Sequence, residues 1–309
     1  MRIKKLTLYS YKYAQNDYQG IKQLATNNGC PETTPNCLKT IGFIKPFLFE
    51  DPTTQIVEKV GRYFVSIIQI QERKAKRSDV THQVNAHIRK EREKGNTLTR
   101  SERRDLRKDI EQSLAKVAIP TQTDIEVIFE IDKGLIWVGS SNSTHLDQVQ
   151  QVLNGAGLST LINVFSTEME KDLTLFRKDP SLLKDGFELG DKASLANSED
   201  KAKARYTGQN LLSNELDTNV EKQKQVTHAE FNYEDAVIFS ISGSQALTSI
   251  KFDNAKCIEL LEFEKEDDGD ELHHAKQNLT IKLQMLGEIL PKLYGMFDSV
   301  DSGESFEIT

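Results

Sequence analysis

Between residues 62 and 131 the apolar period of this chain switches from two to about 3.6 and back again. Arg62-Tyr63-Phe64-Val65-Ser66-Ile67-Ile68-Gln69-Ile70 is rich in β-branched residues and reads as a strand. Val80, Val84 and Ile88 follow at i, i+4, i+8, the spacing of one helix face. Gly95-Asn96 stops that helix. Thr99-Arg100-Ser101-Glu102 then fits a capping box, with Thr99 as N-cap and Glu102 reaching back. The helix it opens carries Leu106, Ile110, Leu114 and Val117 on one stripe and ends at Pro120. Residues 124–131 alternate again and pair with 135–138 across a turn at Asp132-Lys133-Gly134. The class is therefore mixed, α/β or α+β, with a helical hairpin at 72–118 set between strands.

The rest of the chain reads in the same way. Residues 3–12 form a strand, 15–27 a helix, and Gly29 to Cys37 a loop. Further strands are expected near 41–49, 54–60, 159–165, 225–233, 235–242 and 246–252. Helices are expected near 145–154 and 209–219. The pattern weakens from 181 to 205, which suggests an irregular exposed segment. A long helix over 272–297 carries Leu279, Leu283, Leu286, Leu290 and Leu293 on its apolar face. A two-region division is expected: an N-terminal α/β region over 1–165 with the basic hairpin, and a C-terminal α/β region over 166–309.

Charge is polarised along the chain. The 309 residues carry a net charge of −7. From Glu72 to Lys108 there are 13 Lys/Arg against 6 Asp/Glu, or +7, and the remainder is −14. Arg100, Arg104, Arg107 and Lys108 fall on one helical stripe, beside the apolar stripe and not opposite it. Arg89, Lys90, Arg92 and Lys94 crowd the end of the preceding helix, and Arg73, Lys74, Lys76 and Arg77 its start. Arginine donates two parallel hydrogen bonds to phosphate, and each phosphate neutralised releases counterions. A solvated helical hairpin and a phosphate-facing surface both fit this distribution. A second, weaker basic group comprises Lys201, Lys203, Arg205, Lys222 and Lys224.

Several functions are disfavoured. No run approaches the ~18 apolar residues of a membrane span, and Met1-Arg2-Ile3-Lys4-Lys5-Leu6 lacks a signal-peptide pattern. Three cysteines, Cys30, Cys37 and Cys257, suggest a reduced, cytoplasmic setting and plain thiols. No zinc-finger spacing, basic zipper, RNP motif or phosphate-binding glycine loop is present, so phosphate contact would come without base readout. Adjacent His273 and His274 splay on a helix and read as a surface pair, not as metal ligands. One enzymatic alternative stands: a metal-dependent nuclease using Asp124, Glu126, Glu130 and Asp132, which share a strand face. The Glu-x-Lys spacing of common nuclease folds is absent there, and the acids read better as the solvent face of a half-buried strand.

The order of segments resembles the bacterial recombination-associated RdgC family over nearly the whole chain. Ile3-Lys4-Lys5-Leu6-Thr7-Leu8-Tyr9 looks like its first strand, and Gly42-Phe43-Ile44-Lys45-Pro46 is similar to its Gly-Trp-x-x-Pro element. Ser101 to Ile110 resembles its charged helix start, with spacing preserved to Gly134-Leu135-Ile136-Trp137-Val138. Phe187-Glu188-Leu189-Gly190-Asp191, Ile250-Lys251-Phe252-Asp253 and Leu286-Gly287-Glu288-Ile289 match later segments. The resemblance implies horseshoe-shaped subunits of curved antiparallel sheets with helices. Two of them close into a ring-shaped homodimer around duplex DNA. It also implies DNA binding with little sequence preference, restraint of RecA-mediated recombination, a cytoplasmic, nucleoid-associated location, and neither cofactor nor catalysis. A direct contact with the RecA recombinase is a further expectation, as a third, interaction-module reading.

Where the family has Leu-Pro-Arg-Ala-Phe after the charged helix, this chain has Ala115-Lys116-Val117-Ala118-Ile119. The DNA-facing arginine becomes Val117, beside Lys116, and the aromatic dimer contact becomes Ile119. The expected DNA-binding residues are thus Lys76, Arg77, Arg89, Lys90, Arg100, Arg103, Arg104, Arg107, Lys108, Lys116, Arg205, Lys222 and Lys224. Ile119 is the expected dimer contact.

Overall fold

The computed structural model describes residues 3–47, 54–165, 169–183, 186–197, 202–208, 224–266 and 268–297. The N-terminal part runs β1 (Leu6–Lys12), α1 (Tyr18–Asn27), β2 (Lys39–Ile44), β3 (Glu58–Val60) and β4 (Tyr63–Glu72). Two consecutive helices follow, α2 (Arg77–Glu93) and α3 (Arg100–Val117), then β5 (Thr121–Glu130), β6 (Leu135–Val138), α4 (Ser143–Gly155) and β7 (Ser159–Asn163). Beyond these lie α5 (Met169–Lys178), β8 (Phe187–Ala196), β9 (Lys203–Thr207), β10 (Gln225–Tyr233), β11 (Val237–Ser242) and β12 (Ala246–Phe252). Helices α6 (Asn254–Leu260) and α7 (Glu271–Tyr294) close the described chain.

All twelve strands join one antiparallel sheet in the order β2-β4-β5-β6-β1-β12-β11-β10-β8-β9, with β3 on β4 and β7 on β1. The class is α+β. The first strand is the hinge of the sheet. One edge of β1 pairs with β6 through Leu8↔Trp137. Its other edge pairs first with β12 at Leu6↔Leu247 and Thr7↔Ala246, then with β7 at Tyr9↔Asn163.

Successive side chains of a strand point to opposite faces, and β1 uses both. Leu6 and Leu8 enter a core with Val65, Ile128 and Trp137, covered by the buried Leu279, Leu283, Leu286, Leu290 and Leu293 stripe of α7. Tyr9 and Tyr11 enter a second core with Ile68, Ile125, Phe129 and Ile136. That core is covered by Ile21 and Leu24 of α1 and by Val149 and Leu153 of α4. Each such side chain contributes about 1.5–3 kcal/mol on burial. Gly287 lets α7 approach β4: a Cβ there would collide with the Tyr63 hydroxyl and sit 2.6 Å from Arg62 Nη2.

Several expectations change. Residues 181–205 are not irregular throughout, since β8 and most of β9 lie there. Their inward positions include Ala193 and Leu195, and alternation built partly on alanine is a faint signal. Helices α5 and α6 add to the expected elements, and Met169, Leu173 and Phe176 of α5 stand at helical spacing and are buried. Strand β2 ends at Ile44 instead of continuing to 49, and β3 covers only the last three residues of 54–60. The helix expected near 209–219 lies outside the described residues.

Candidate nucleic-acid interface

Helices α2 and α3 connect β4 to β5, which are direct neighbours paired from Glu72↔Thr121 to Phe64↔Phe129. The connection between two adjacent strands is therefore a helical hairpin, an arm rooted at the end of the strand pair. The two helices pack chiefly on each other. Val80 and Val84 of α2 are buried, with Ala115 near the root of α3, and Leu106, Ile110 and Leu114 are half-buried along the seam. Val117 does not join that seam, as its sequence position suggested. It is 78% exposed, because α3 ends there and the chain leaves the helix through extended Ala118.

The tip is built as the sequence dictates. Gly95, at φ 84°, closes α2: its N–H donates to Arg92 O and the Asn96 N–H to Glu91 O, a Schellman ending. The capping box opens α3, with Thr99 N–H donating to Glu102 Oε2 at 2.7 Å and Glu102 N–H to Thr99 Oγ1 at 3.3 Å. Two of the acids at the tip, Glu91 and Glu102, are held by local contacts. Hydrogen bonds from Lys94 and Asn96 hold the Glu91 carboxyl below the usual carboxylate range, and those from Thr99 do the same for Glu102. At the root, Glu72 pairs with Lys74 at 2.6 Å.

The cations remain outside. Lys76, Arg77, Arg89, Lys90, Arg100, Arg103, Arg104, Arg107, Lys108 and Lys116 are all exposed. Arg103 folds back, donating from Nε to Leu98 O at 3.1 Å. Among the described residues, Arg100, Arg104, Arg107 and Lys108 have no carboxylate within salt-bridge distance. At about 100° per residue, Asp109 falls on the opposite side of α3 from that stripe, Asp105 flanks it about 60° beyond Lys108, and exposed Glu111 lies within it. A cleft of about 280 Å³ opens at the root of the arm, lined in part by Lys39, Lys74, Thr121, Thr123, His145 and Gln148. Ile119, just past the end of α3, is 88% exposed.

The second basic group lies at the far end of the sheet. Arg205 on β9 is exposed opposite Ser194 of β8, and half-buried Lys224 immediately precedes β10. Because Ala196 pairs with both Gln225 and Lys203, Lys203 and Lys224 stand near one end of these strands. His228, on the other side of β8, is pushed down by burial and by the Arg205 guanidinium, so it is neutral at pH 7. Lys201 and Lys222 lie outside the described residues. The arm and the β9 edge are at separate places on one chain, and among the described residues nothing brings them together.

The acids of the nuclease alternative are dispersed. Asp124 is exposed and accepts from Gln69 Nε2 at 2.8 Å. Glu130 is not on a solvent face: it is buried, 3.2 Å from Arg62 Nη2 and 3.0 Å from Lys133 Nζ. Asp132 sits in a 3-10 turn, which swings Lys133 back onto Glu130. Among the described residues no group of three or more His, Cys, Asp or Glu side chains could hold a metal ion. His273 and His274 do not splay apart: their rings meet edge to face at 5.9 Å, and His273 Nε2 lies 3.1 Å from Glu266. No described helix is long and apolar enough to cross a membrane.

Fold and site together define an α+β protein with one large antiparallel sheet and a cationic two-helix arm. A family model described as "Putative exonuclease, RdgC" matches residues 1–300, and the chain belongs to the RdgC family. Two curated relatives named "Recombination-associated protein RdgC" are similar to it. The one from Shewanella halifaxensis is 26% identical and the one from Shewanella piezotolerans 27% identical, each over 165 residues. These matches cover 52% of this chain and 54% of each relative, so the chain spans about half the length of the curated relatives it matches.

Proposed function

We propose that this protein binds double-stranded DNA through phosphate contacts, without reading base sequence, and thereby restrains RecA-mediated recombination. The observation that carries the reading is the segregation of charge on the arm. Among the described residues its stripe of arginines is exposed and has no carboxylate within salt-bridge distance, while at the tip Glu102 caps α3 and Glu91 pairs with Lys94. Such a surface has charge for a polyanion, and the sequence carries no zinc-finger, basic-zipper or RNP module for base readout. The relatives' name associates them with recombination, and occupation of duplex DNA is a direct way to obstruct strand exchange. The protein acts as a homodimeric ring, located in the cytoplasm with the nucleoid, and Ile119 lies in the subunit contact. Ile119 and Val117, 88% and 78% exposed two residues apart, offer apolar surface for a second copy to bury.

Unrelated duplexes of equal length, titrated by fluorescence anisotropy, should bind with equal affinity, and binding should weaken steeply with salt. Strong preference for one sequence, or binding indifferent to salt, would overturn the reading. Ring closure predicts that covalently closed circular DNA retains the protein better than short linear DNA, and equal retention refutes encirclement. Incubating labelled duplex with Mg²⁺ should leave it intact; cleavage abolished by Asp124→Ala would establish the nuclease alternative instead.

A further inference from the structure

Arg73 lies in the connector between β4 and α2, and its side chain reaches two segments distant in sequence. Nε donates to Thr33 Oγ1 at 3.0 Å and Nη2 to Thr33 O at 3.2 Å. Nη1 donates to Ala118 O at 2.8 Å, and the backbone N–H of Arg73 donates to Leu38 O at 2.8 Å. Thr33 belongs to the loop between α1 and β2. Ala118 is the C-cap of α3, where unpaired carbonyls carry partial negative charge and favour a cation. One guanidinium therefore joins the entrance of the arm, its exit and a loop of the body.

The arm has little else to hold its direction. Its helices pack chiefly on each other, and it meets the sheet through the connectors 73–76 and 118–120. Thr121 Oγ1 donates to Glu72 O at 3.0 Å, tying the two strand ends just beneath. We infer that Arg73 is a positioning residue that clamps both roots of the arm to the 30–38 loop and sets the direction in which the cationic stripe projects. Its planar fork donates to two carbonyls and a hydroxyl of the protein itself, unlike the solvent-facing arginines of the stripe. A lysine has the same charge but a single nitrogen, which cannot span these acceptors. A fixed arm has less orientational freedom to lose when it meets DNA, and this last step rests on the proposed duplex binding.

The test separates geometry from charge. Bio-orthogonal spin labels are placed at exposed Thr97 on the tip and exposed Gln23 on α1, and their distance distribution is measured in the full chain. The parent protein should give one narrow distribution, and Arg73→Lys and Arg73→Gln broad ones. In parallel, Arg73→Lys should weaken duplex binding about tenfold through lost preorganisation, with the salt dependence of binding unchanged because no phosphate contact is removed. Narrow distributions identical to the parent's in both variants would overturn the clamp. So would full affinity in Arg73→Lys. If the parent protein binds no duplex, the proposed function fails, and the distance measurement alone still decides the role of Arg73. If Arg73→Gln does not fold, Arg73→Lys carries the test.

Discussion

Replacing Arg100, Arg104 and Arg107 together by glutamine should separate binding from stability with opposite signs. The three lie on one exposed stripe spanning eight residues, about 10 Å of helix. Duplex DNA presents a phosphate charge about every 1.7 Å along its axis, so each arginine can neutralise a separate phosphate. Each such contact contributes about 0.9 to the slope of log affinity against log salt, so the triple variant should lose about 2.7 from that slope. Raising salt fourfold, from about 50 to about 200 mM, should then shrink the affinity gap between parent and variant about 40-fold. Stability should move the other way or not at all. Arg100 and Arg103 occupy the first turn of α3, where the helix dipole disfavours cations by about 0.3–1 kcal/mol each. Removing Arg100 relieves that cost, and glutamine is nearly as good a helix former as arginine. Anisotropy titrations at several salt concentrations, with circular dichroism melts of the same samples, read both quantities. An unchanged salt slope would refute the contact, and a variant that melts well below the parent would show that the arginines serve the fold.

Val117→Arg restores a cation at a position 78% exposed, so it should tighten duplex binding and steepen its salt dependence without lowering the melting temperature; unchanged binding would place Val117 away from DNA. Gly287→Ala forces α7 off Tyr63 and Arg62 and should cost about 1–3 kcal/mol in urea unfolding, whereas a neutral result would contradict the close approach. Burial, and then Asp253, push the fully buried Cys257 thiol up to about 11. A raised thiol pKa adds stability below the unfolded value, near about 8.5, and that stability is lost as pH rises from there toward 11. The urea midpoint should thus fall less between pH 9 and 11 in Cys257→Ala than in the parent; parallel curves would reject the assignment. Hydrogen exchange should be faster in α2 and α3 than in β4 and β5, because the arm buries few side chains, and duplex DNA should protect the arm first; equal protection throughout would argue against both statements.

How far the sequence was legible depended on whether period and chemistry agreed locally. Thr99 and Glu102 announce their capping box, and the structure contains it. The α7 leucines announce their buried face in the same way. The strand expected at 225–233 has those bounds, since turns and alternation coincide there. Strand β8 was hidden because its inward Ala193 and Leu195 barely contrast with Lys192 and Ser194. Glu130 departs from its expected solvent face for a different reason. Alternation places it on a face, but only the fold brings Arg62 and Lys133 to that face, making a buried carboxylate tolerable. Arg73 shows the same limit. In the sequence it is one cation among many, and its partners are 40 and 45 residues away.

The separation of charge from core follows from the packing of the sheet. Both faces of its N-terminal half are covered by apolar cores, one under α7 and the other under α1 and α4, so a cluster of guanidinium groups has no place there. Placing the cations on a hairpin between two adjacent strands leaves the β4–β5 register undisturbed and carries them beyond the body. Outside residues 72–108 the chain has a net charge of −14, so the long-range field favours approach of a polyanion from the side of the arm. On this view the overall charge of −7 does not oppose DNA binding. On the proposed reading, the negative body would orient the encounter so that the arm meets the duplex first, and a fixed root at Arg73 would make that orientation useful.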